Sequence, residues 1–140
     1  MSGPSPLSVA ERELIAAYVS GLNACDYCYG VHQVTAERFG VDEQTLTGML
    51  ADLATAEIED RMRPLLSYLA KLTRDPARVS PADARAVLAA GWDERALHDA
   101  VSVCALFNFM PGSSTASASP PTPTTPTRLA PSSPTTATPA

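Results

Sequence analysis

The sequence predicts an all-α fold, a bundle of about six helices, followed by a C-terminal tail. Between residues 8 and 110, apolar residues recur every three or four positions, as they do on the buried faces of helices. Short polar residues that cap helices precede these stretches, and no segment alternates between polar and apolar residues as a strand does. The 140 residues leave room for one domain with a sizeable core.

The first two helices are predicted to form a tight pair. Ser8 and Glu11 have the spacing of a capping box, and an apolar stripe then continues to about Leu22. A second helix runs from about Cys25 to Phe39 and ends before Gly40, a residue suited to a left-handed cap. Because the linker is so short, the two helices must pack as near neighbours.

The third and fourth helices carry candidate core residues. Asp42 caps the third helix, and the fourth runs from about Asp60 to Leu72, with Pro64 tolerated in its first turn. The apolar positions of these helices recur on one face, which predicts that they are buried. They are Leu46, Met49, Leu50 and Leu53 in the third helix and Leu65, Leu66, Leu69 and Leu72 in the fourth.

Two more helices complete the predicted domain. Ser80, Pro81 and Asp83 open a short fifth helix that stops at Gly91. Asp93 caps the last helix. Its predicted inner stripe consists of Leu97, Val101, Cys104 and Ala105.

The composition changes abruptly at Pro111. Pro, Ser, Thr and Ala account for all but three of the last thirty residues, which predicts a disordered low-complexity tail. We therefore place a helical domain at residues 8–110 and the tail at residues 111–140, and we expect the last helix to be cut short at Pro111. A frame-shifted C-terminus and a genuine disordered tail both account for the change.

Charge and cysteine content narrow the classes of function. The formal net charge is −5 and no basic cluster occurs, so neither a nucleic acid nor an anionic membrane is an expected partner. The first eight residues do not resemble a signal peptide, and no apolar run is long enough to span a bilayer. Two of the three cysteines form a Cys-x-x-Cys motif, which fits a reducing compartment and therefore the cytoplasm.

The candidate site is a dithiol with a histidine. In a helix, Cys25, Cys28 and His32 fall at positions i, i+3 and i+7, so their side chains share one face. The first turn of a helix favours a thiolate over a thiol, and an imidazole can accept or return a proton. Glu13 lies on a face of small side chains that allows close helix packing, which puts it within reach of this Cys-His face.

Other interpretations of the motif remain open at this stage. The cysteines can act as small buried hydrophobic residues, and a zinc site would need a fourth ligand that the sequence does not supply. A c-type haem site needs His where Tyr29 stands, and a thioredoxin fold would place a strand before the motif. We therefore expect neither a metal nor a cofactor. Cys104 is predicted to lie in the core, and His98 on the surface.

The segment from Ser8 to Gly40 resembles the signature of the AhpD-like alkylhydroperoxidases in the carboxymuconolactone decarboxylase superfamily. The resemblance rests on Glu13 twelve residues before Cys25, followed by Cys28 and His32. A looser similarity to the peroxidase-related branch continues to about Met110.

This resemblance implies an all-helical homo-oligomer, often a trimer or a multiple of it. It also implies thiol-dependent reduction of organic hydroperoxides or of the disulfide of a partner peroxiredoxin. By the same resemblance, Cys28 is the nucleophile, Cys25 its disulfide partner, and Glu13 with His32 a proton relay. The best-studied members have a further histidine between the cysteines, where this chain has Tyr27.

Two rival functions remain. A non-catalytic redox sensor or adaptor would oxidise its dithiol stoichiometrically, without turnover. A carboxymuconolactone decarboxylase-like enzyme is less favoured, because relatives with that activity generally lack the cysteine pair.

Overall fold

The computed structural model describes residues 3–117, with the side chains of residues 3–110. This range contains six α-helices, one short 3₁₀ helix and no strand, which confirms the predicted all-α fold. The 3₁₀ helix, Pro76–Arg78, was not predicted. The α-helices are α1 (Val9–Leu22), α2 (Asp26–Arg38), α3 (Glu43–Ala51), α4 (Met62–Arg74), α5 (Pro81–Ala89) and α6 (Glu94–Ser117).

Helix α1 is the centre of the bundle. It packs against α2, α3, α4 and α6, so every residue from 12 to 20 is buried. Its start is fixed by the predicted capping box, in which the Glu11 backbone N–H donates to Ser8 Oγ (3.2 Å) and the Ser8 N–H donates to Glu11 Oε2 (2.7 Å). Even the charged residues Arg12 and Glu13 are therefore carried into the interior.

The core follows the predicted apolar positions in the first four helices. Leu46 and Met49 in α3 and Leu65, Leu66 and Leu69 in α4 are buried. Leu50, Leu53 and Leu72 are partly buried and pack against this core.

The inner face of α6 differs from the prediction. Ala105 is exposed, and Leu97 and Val101 lie at the margin of the core. Because two alanines occupy the inner face, the helix can approach its neighbours closely. The buried residues on this face are Ala96, Ala100, Cys104 and Phe107.

The expectation that the last helix stops at Pro111 is wrong, because α6 continues to Ser117. Pro111 has no backbone N–H, so the carbonyl of Phe107, four residues earlier, receives no helical hydrogen bond from it. Asn23 Nδ2 donates to that carbonyl instead, at 3.2 Å. Most of the predicted tail, residues 118–140, lies outside the described residues.

Candidate active site

The turn between α1 and α2 fixes the backbone of the first motif cysteine. Ala24 adopts a left-handed conformation (φ 52°), and its N–H donates to the carbonyl of Gly21 (3.1 Å). The N–H of Cys25 donates to the carbonyl of Ser20 (3.0 Å), which completes a Schellman motif. Cys25 thereby becomes the N-cap residue of α2 immediately after α1 has ended.

The two motif cysteines are free thiols with different exposure. Cys28 lies in the first turn of α2 and is buried, whereas Cys25 is partly exposed. Hydrogen bonding to the Cys25 side chain raises the pKa of Cys28 above its ordinary value, and burial adds to the increase. The expected preference for a thiolate in the first helical turn is therefore outweighed at Cys28. This thiol needs a base to ionise it near neutral pH.

Glu13 and His32 meet across the α1–α2 hairpin. The distance between His32 Nδ1 and Glu13 Oε2 is 2.6 Å, and the side chains are 19% and 9% exposed. Because a carboxylate only accepts hydrogen bonds, Nδ1 carries the proton in this pair. In the neutral form of the imidazole, Nε2 is then the acceptor, and His32 follows Cys28 by one helical turn. Within the described residues, no hydrogen bond joins His32 to either motif cysteine.

Phe107 of α6 is the second group that contacts the imidazole of His32, and sequence reasoning did not assign it to the site. Its ring forms a T-shaped contact with the imidazole of His32, with centroids 4.5 Å apart and planes at 79°. In the sequence, Phe107 follows Cys104 by three residues, which places both on the same face of α6. This periodicity does not indicate which helix that face packs against. Tyr27, in contrast, is 82% exposed.

Other candidate groups lie away from this arrangement. Cys104 is buried in the core and His98 is exposed beside Asp99, as the sequence predicts. No three Cys, His, Asp or Glu side chains between residues 3 and 110 are arranged to hold a metal ion. A cavity of about 600 Å³ near the start of α1, lined in part by Glu11 and Arg61, contains neither motif cysteine. Over residues 3–117, the helices are too short or too polar to cross a membrane.

Two solved structures are similar to this chain. A peroxidase-related protein from Silicibacter sp. TM1040, itself uncharacterized, has a TM-score of 0.75 and 32% identity over 83% of this chain. An uncharacterized peroxidase-related protein from Ralstonia eutropha JMP134, described as an alkylhydroperoxidase AhpD core, has a TM-score of 0.72 over 81% of this chain. At 24% identity, the second likeness supports the fold alone. The chain spans 61% of the length of each of these two proteins.

Sequence comparison agrees with the likeness in structure. No curated protein matches the chain. The model of the carboxymuconolactone decarboxylase family matches residues 1–71, a segment that contains α1, α2 and the Cys-x-x-Cys motif. The chain therefore belongs to the carboxymuconolactone decarboxylase family and has an AhpD-like fold.

Proposed function

We propose that this protein is a thiol-dependent peroxidase that reduces organic hydroperoxides, or the disulfide of a partner peroxiredoxin, through Cys25 and Cys28. The observation that carries the proposal is the 2.6 Å contact between Glu13 and His32, one helical turn from a buried thiol. A buried carboxylate on one imidazole nitrogen fixes the tautomer and orientation that a general base uses, and it stabilises the imidazolium that forms. The AhpD-like fold supports the same assignment.

In the proposed reaction, His32 ionises Cys28. The raised pKa keeps Cys28 in its thiol form near neutral pH, so a base must remove its proton before it can act as a nucleophile. His32 accepts this proton on Nε2, while Glu13 holds Nδ1 and stabilises the imidazolium that forms. Because Cys28 lies one turn from His32 on the same helix, it is the better candidate for the nucleophile.

The peroxide is then reduced in two steps. The Cys28 thiolate attacks one oxygen of the hydroperoxide, the O–O bond breaks, and the alkoxide leaves as an alcohol with the proton that His32 returns. The resulting sulfenic acid condenses with the Cys25 thiol, which forms a disulfide and releases water. An external dithiol supplies two electrons and two protons to reopen this disulfide. Because Cys25 is partly exposed, it is the sulfur that such a reductant can reach.

The two cysteines can be tested separately. With dithiol as the reductant, Cys28→Ser is expected to abolish hydroperoxide turnover. Cys25→Ser is expected to stop after one oxidation, with a sulfenic acid at Cys28 that a trapping reagent labels and mass spectrometry locates. In the double variant Cys25→Ser/Cys28→Ser, Cys104 is the remaining cysteine, so its turnover rate gives the background of the assay. Full turnover in Cys28→Ser would refute the nucleophile assignment.

The same assays separate the rival functions. A redox sensor or adaptor would consume one equivalent of peroxide per dithiol and then stop, even with excess reductant. The family's name also makes a carboxymuconolactone decarboxylase-like activity a candidate, and loss of carbon dioxide from a lactone acid would identify it. Neither the proposed reaction nor its regeneration requires a metal or an organic cofactor. The proposal places the protein in the cytoplasm, where small thiols and thiol proteins keep its cysteines reduced.

A further inference from the structure

We propose that Asn23 is a positioning residue that holds Phe107 against His32. Three contacts run from the α1–α2 turn to α6 and back to the imidazole of His32. The catalytic consequence of this inference rests on the proposed function, but the contacts themselves can be tested without any activity. Asn23 lies two residues before the first motif cysteine, and its side-chain amide hydrogen-bonds to α6 and not to either thiol of the motif.

The first contact compensates for a proline within α6. The carbonyl of Phe107 would normally accept the N–H of residue 111, but that residue is proline. A carbonyl that is withdrawn from water without a donor destabilises the fold. Asn23 Nδ2 donates to this carbonyl at 3.2 Å and so ties the α1–α2 turn to the residue whose ring reaches the site.

The second contact prevents the Asn23 amide from turning away. Its Nδ2 also donates to Oδ1 of Asn108, at 2.8 Å. Asn108 is itself held from α4 and α6, because its Nδ2 is 3.2 Å from Thr73 Oγ1 and 3.3 Å from Cys104 Sγ. Both amide hydrogens of Asn23 are therefore used, and their acceptors on α6 are held in place by contacts from α4 and α6.

The third contact carries this arrangement to the site. Phe107 meets the imidazole of His32 on one side, and Glu13 holds Nδ1 on another. Because Phe107 and Glu13 are both fixed, the imidazole of His32 has one orientation in which Nε2 remains available. Loss of the Asn23 contact would free the backbone at Phe107 and loosen one of the two constraints on His32.

Ring-current effects in the NMR spectrum of the full-length protein report directly on the position of the Phe107 ring relative to His32. The ring protons of His32 lie close to the Phe107 ring, so their signals are displaced, and Phe107→Leu gives the undisplaced reference. In Asn23→Ala we expect these signals to move towards the Phe107→Leu positions. If Asn23→Ala does not fold, Asn23→Leu keeps nearly the same side-chain shape without the two N–H groups and without a charge, and it makes the same test.

A second substitution tests the role of the carbonyl. Pro111→Ala restores a backbone N–H that can donate to the Phe107 carbonyl, so in the Asn23→Ala background it should return the His32 signals towards their wild-type positions. A general role of Asn23 in stability would not produce this recovery. Unchanged His32 signals in Asn23→Ala, or no recovery in the double variant, would overturn the inference.

Peroxidase assays of the same variants separate this inference from the proposed function. A misplaced catalytic group can lower a rate by up to about 10²-fold, so Asn23→Ala should lower kcat within that limit, leave KM unchanged and recover with Pro111→Ala. If the NMR signals respond as expected but the wild-type protein has no peroxidase activity, the positioning role stands and the proposed function fails. A fall in kcat without movement of the His32 signals would contradict the positioning role.

Discussion

At the scale of single residues, Ala24 is the least relaxed position in the turn that begins the motif. Its φ of 52° lies in the left-handed region, where a side chain with a Cβ is disfavoured by about 1–2 kcal/mol. Helices usually place glycine at this point of a Schellman motif, as the chain does at Gly40, and Gly91 has the same left-handed backbone at the end of α5. Ala24 persists because hydrogen bonds on both sides, from its own N–H and that of Cys25, over-determine the turn.

Ala24→Gly is therefore expected to stabilise the protein. Glycine adopts this backbone conformation freely, so the free energy of unfolding should rise by about 1 kcal/mol in urea denaturation. Ala86→Gly is the matched control, because the same substitution at an exposed position within α5 should lower stability by about 0.8–1.0 kcal/mol. A decrease in the free energy of unfolding in both variants would contradict the assignment of strain to Ala24.

At the scale of the helices, a single carboxylate joins the end of α4 to the start of α5. Asp83 Oδ1 accepts from Lys71 Nζ at 2.6 Å, and its Oδ2 accepts from the Ser80 N–H at 2.8 Å. The hydrogen bond from Lys71 and those from Ser80 lower the pKa of Asp83 from 3.8 to about 2. Asp83 thus completes the capping box of α5, whose N-cap is Ser80, and links this helix to α4.

This lowered pKa predicts a specific loss of stability in acid. Because Asp83 is a stronger acid in the folded state, its contribution is present above about pH 4 and disappears as the pH falls from about 4 to about 2. Asp83→Asn should therefore lose less stability than the wild type over this interval in urea denaturation.

Lys71→Met supplies the matched comparison, because Lys71 is the largest cause of the shift in the pKa of Asp83. It should reduce the acid dependence without removing the carboxylate. An identical pH dependence in the wild type and Asp83→Asn would show that another group controls the acid response.

The elements that the sequence predicts well are those set by local chemistry. The cap at Asp42 and the break before Ser80 depend on neighbouring residues. The helices that begin there, α3 and α5, therefore occur within a few residues of their predicted positions. The approach of Glu13 to His32 was also predictable, because a short linker forces α1 and α2 together and small side chains line the face between them.

Features that depend on distant parts of the chain were not predictable. At Pro111 the local rule indicates a helix end, and only the folded chain supplies the donor from Asn23 that lets α6 continue. The contact of Phe107 with His32 joins α6 to α2, and no spacing within either helix indicates it. The raised pKa of Cys28 depends first on its hydrogen bond with Cys25, a contact within the motif, and then on burial, which requires the helices that pack against α2.

At the scale of the whole molecule, α2 presents an uncovered apolar stripe. Tyr27, Val31 and Val34 are spaced by four and three residues, so they share one face of the helix, and all three are exposed. Apolar side chains grouped in this way often mark an interface. We propose that this stripe contributes to a homo-oligomer, either a trimer or a hexamer.

Light scattering tests this assembly against the monomer mass of 14.7 kDa. The measured mass of the wild type should be a multiple of the monomer mass. The double variant Val31→Glu/Val34→Glu should have a mass closer to that of the monomer, because the interface would then bury two unpaired charges. Leu88→Glu, an exposed apolar position on α5, is the matched control and should leave the mass unchanged. A monomeric wild type would refute the proposal.

The hydrogen bond between Asn23 and the carbonyl of Phe107 also bears on the order in which the chain folds. It joins positions 84 residues apart, and a contact of that separation closes only after much chain entropy has been lost. We therefore expect helix α6 to nucleate by itself up to Met110 and to extend past Pro111 only once the α1–α2 hairpin has formed. During synthesis the N-terminal hairpin leaves the ribosome first. The donor is then already in place when the last helix emerges.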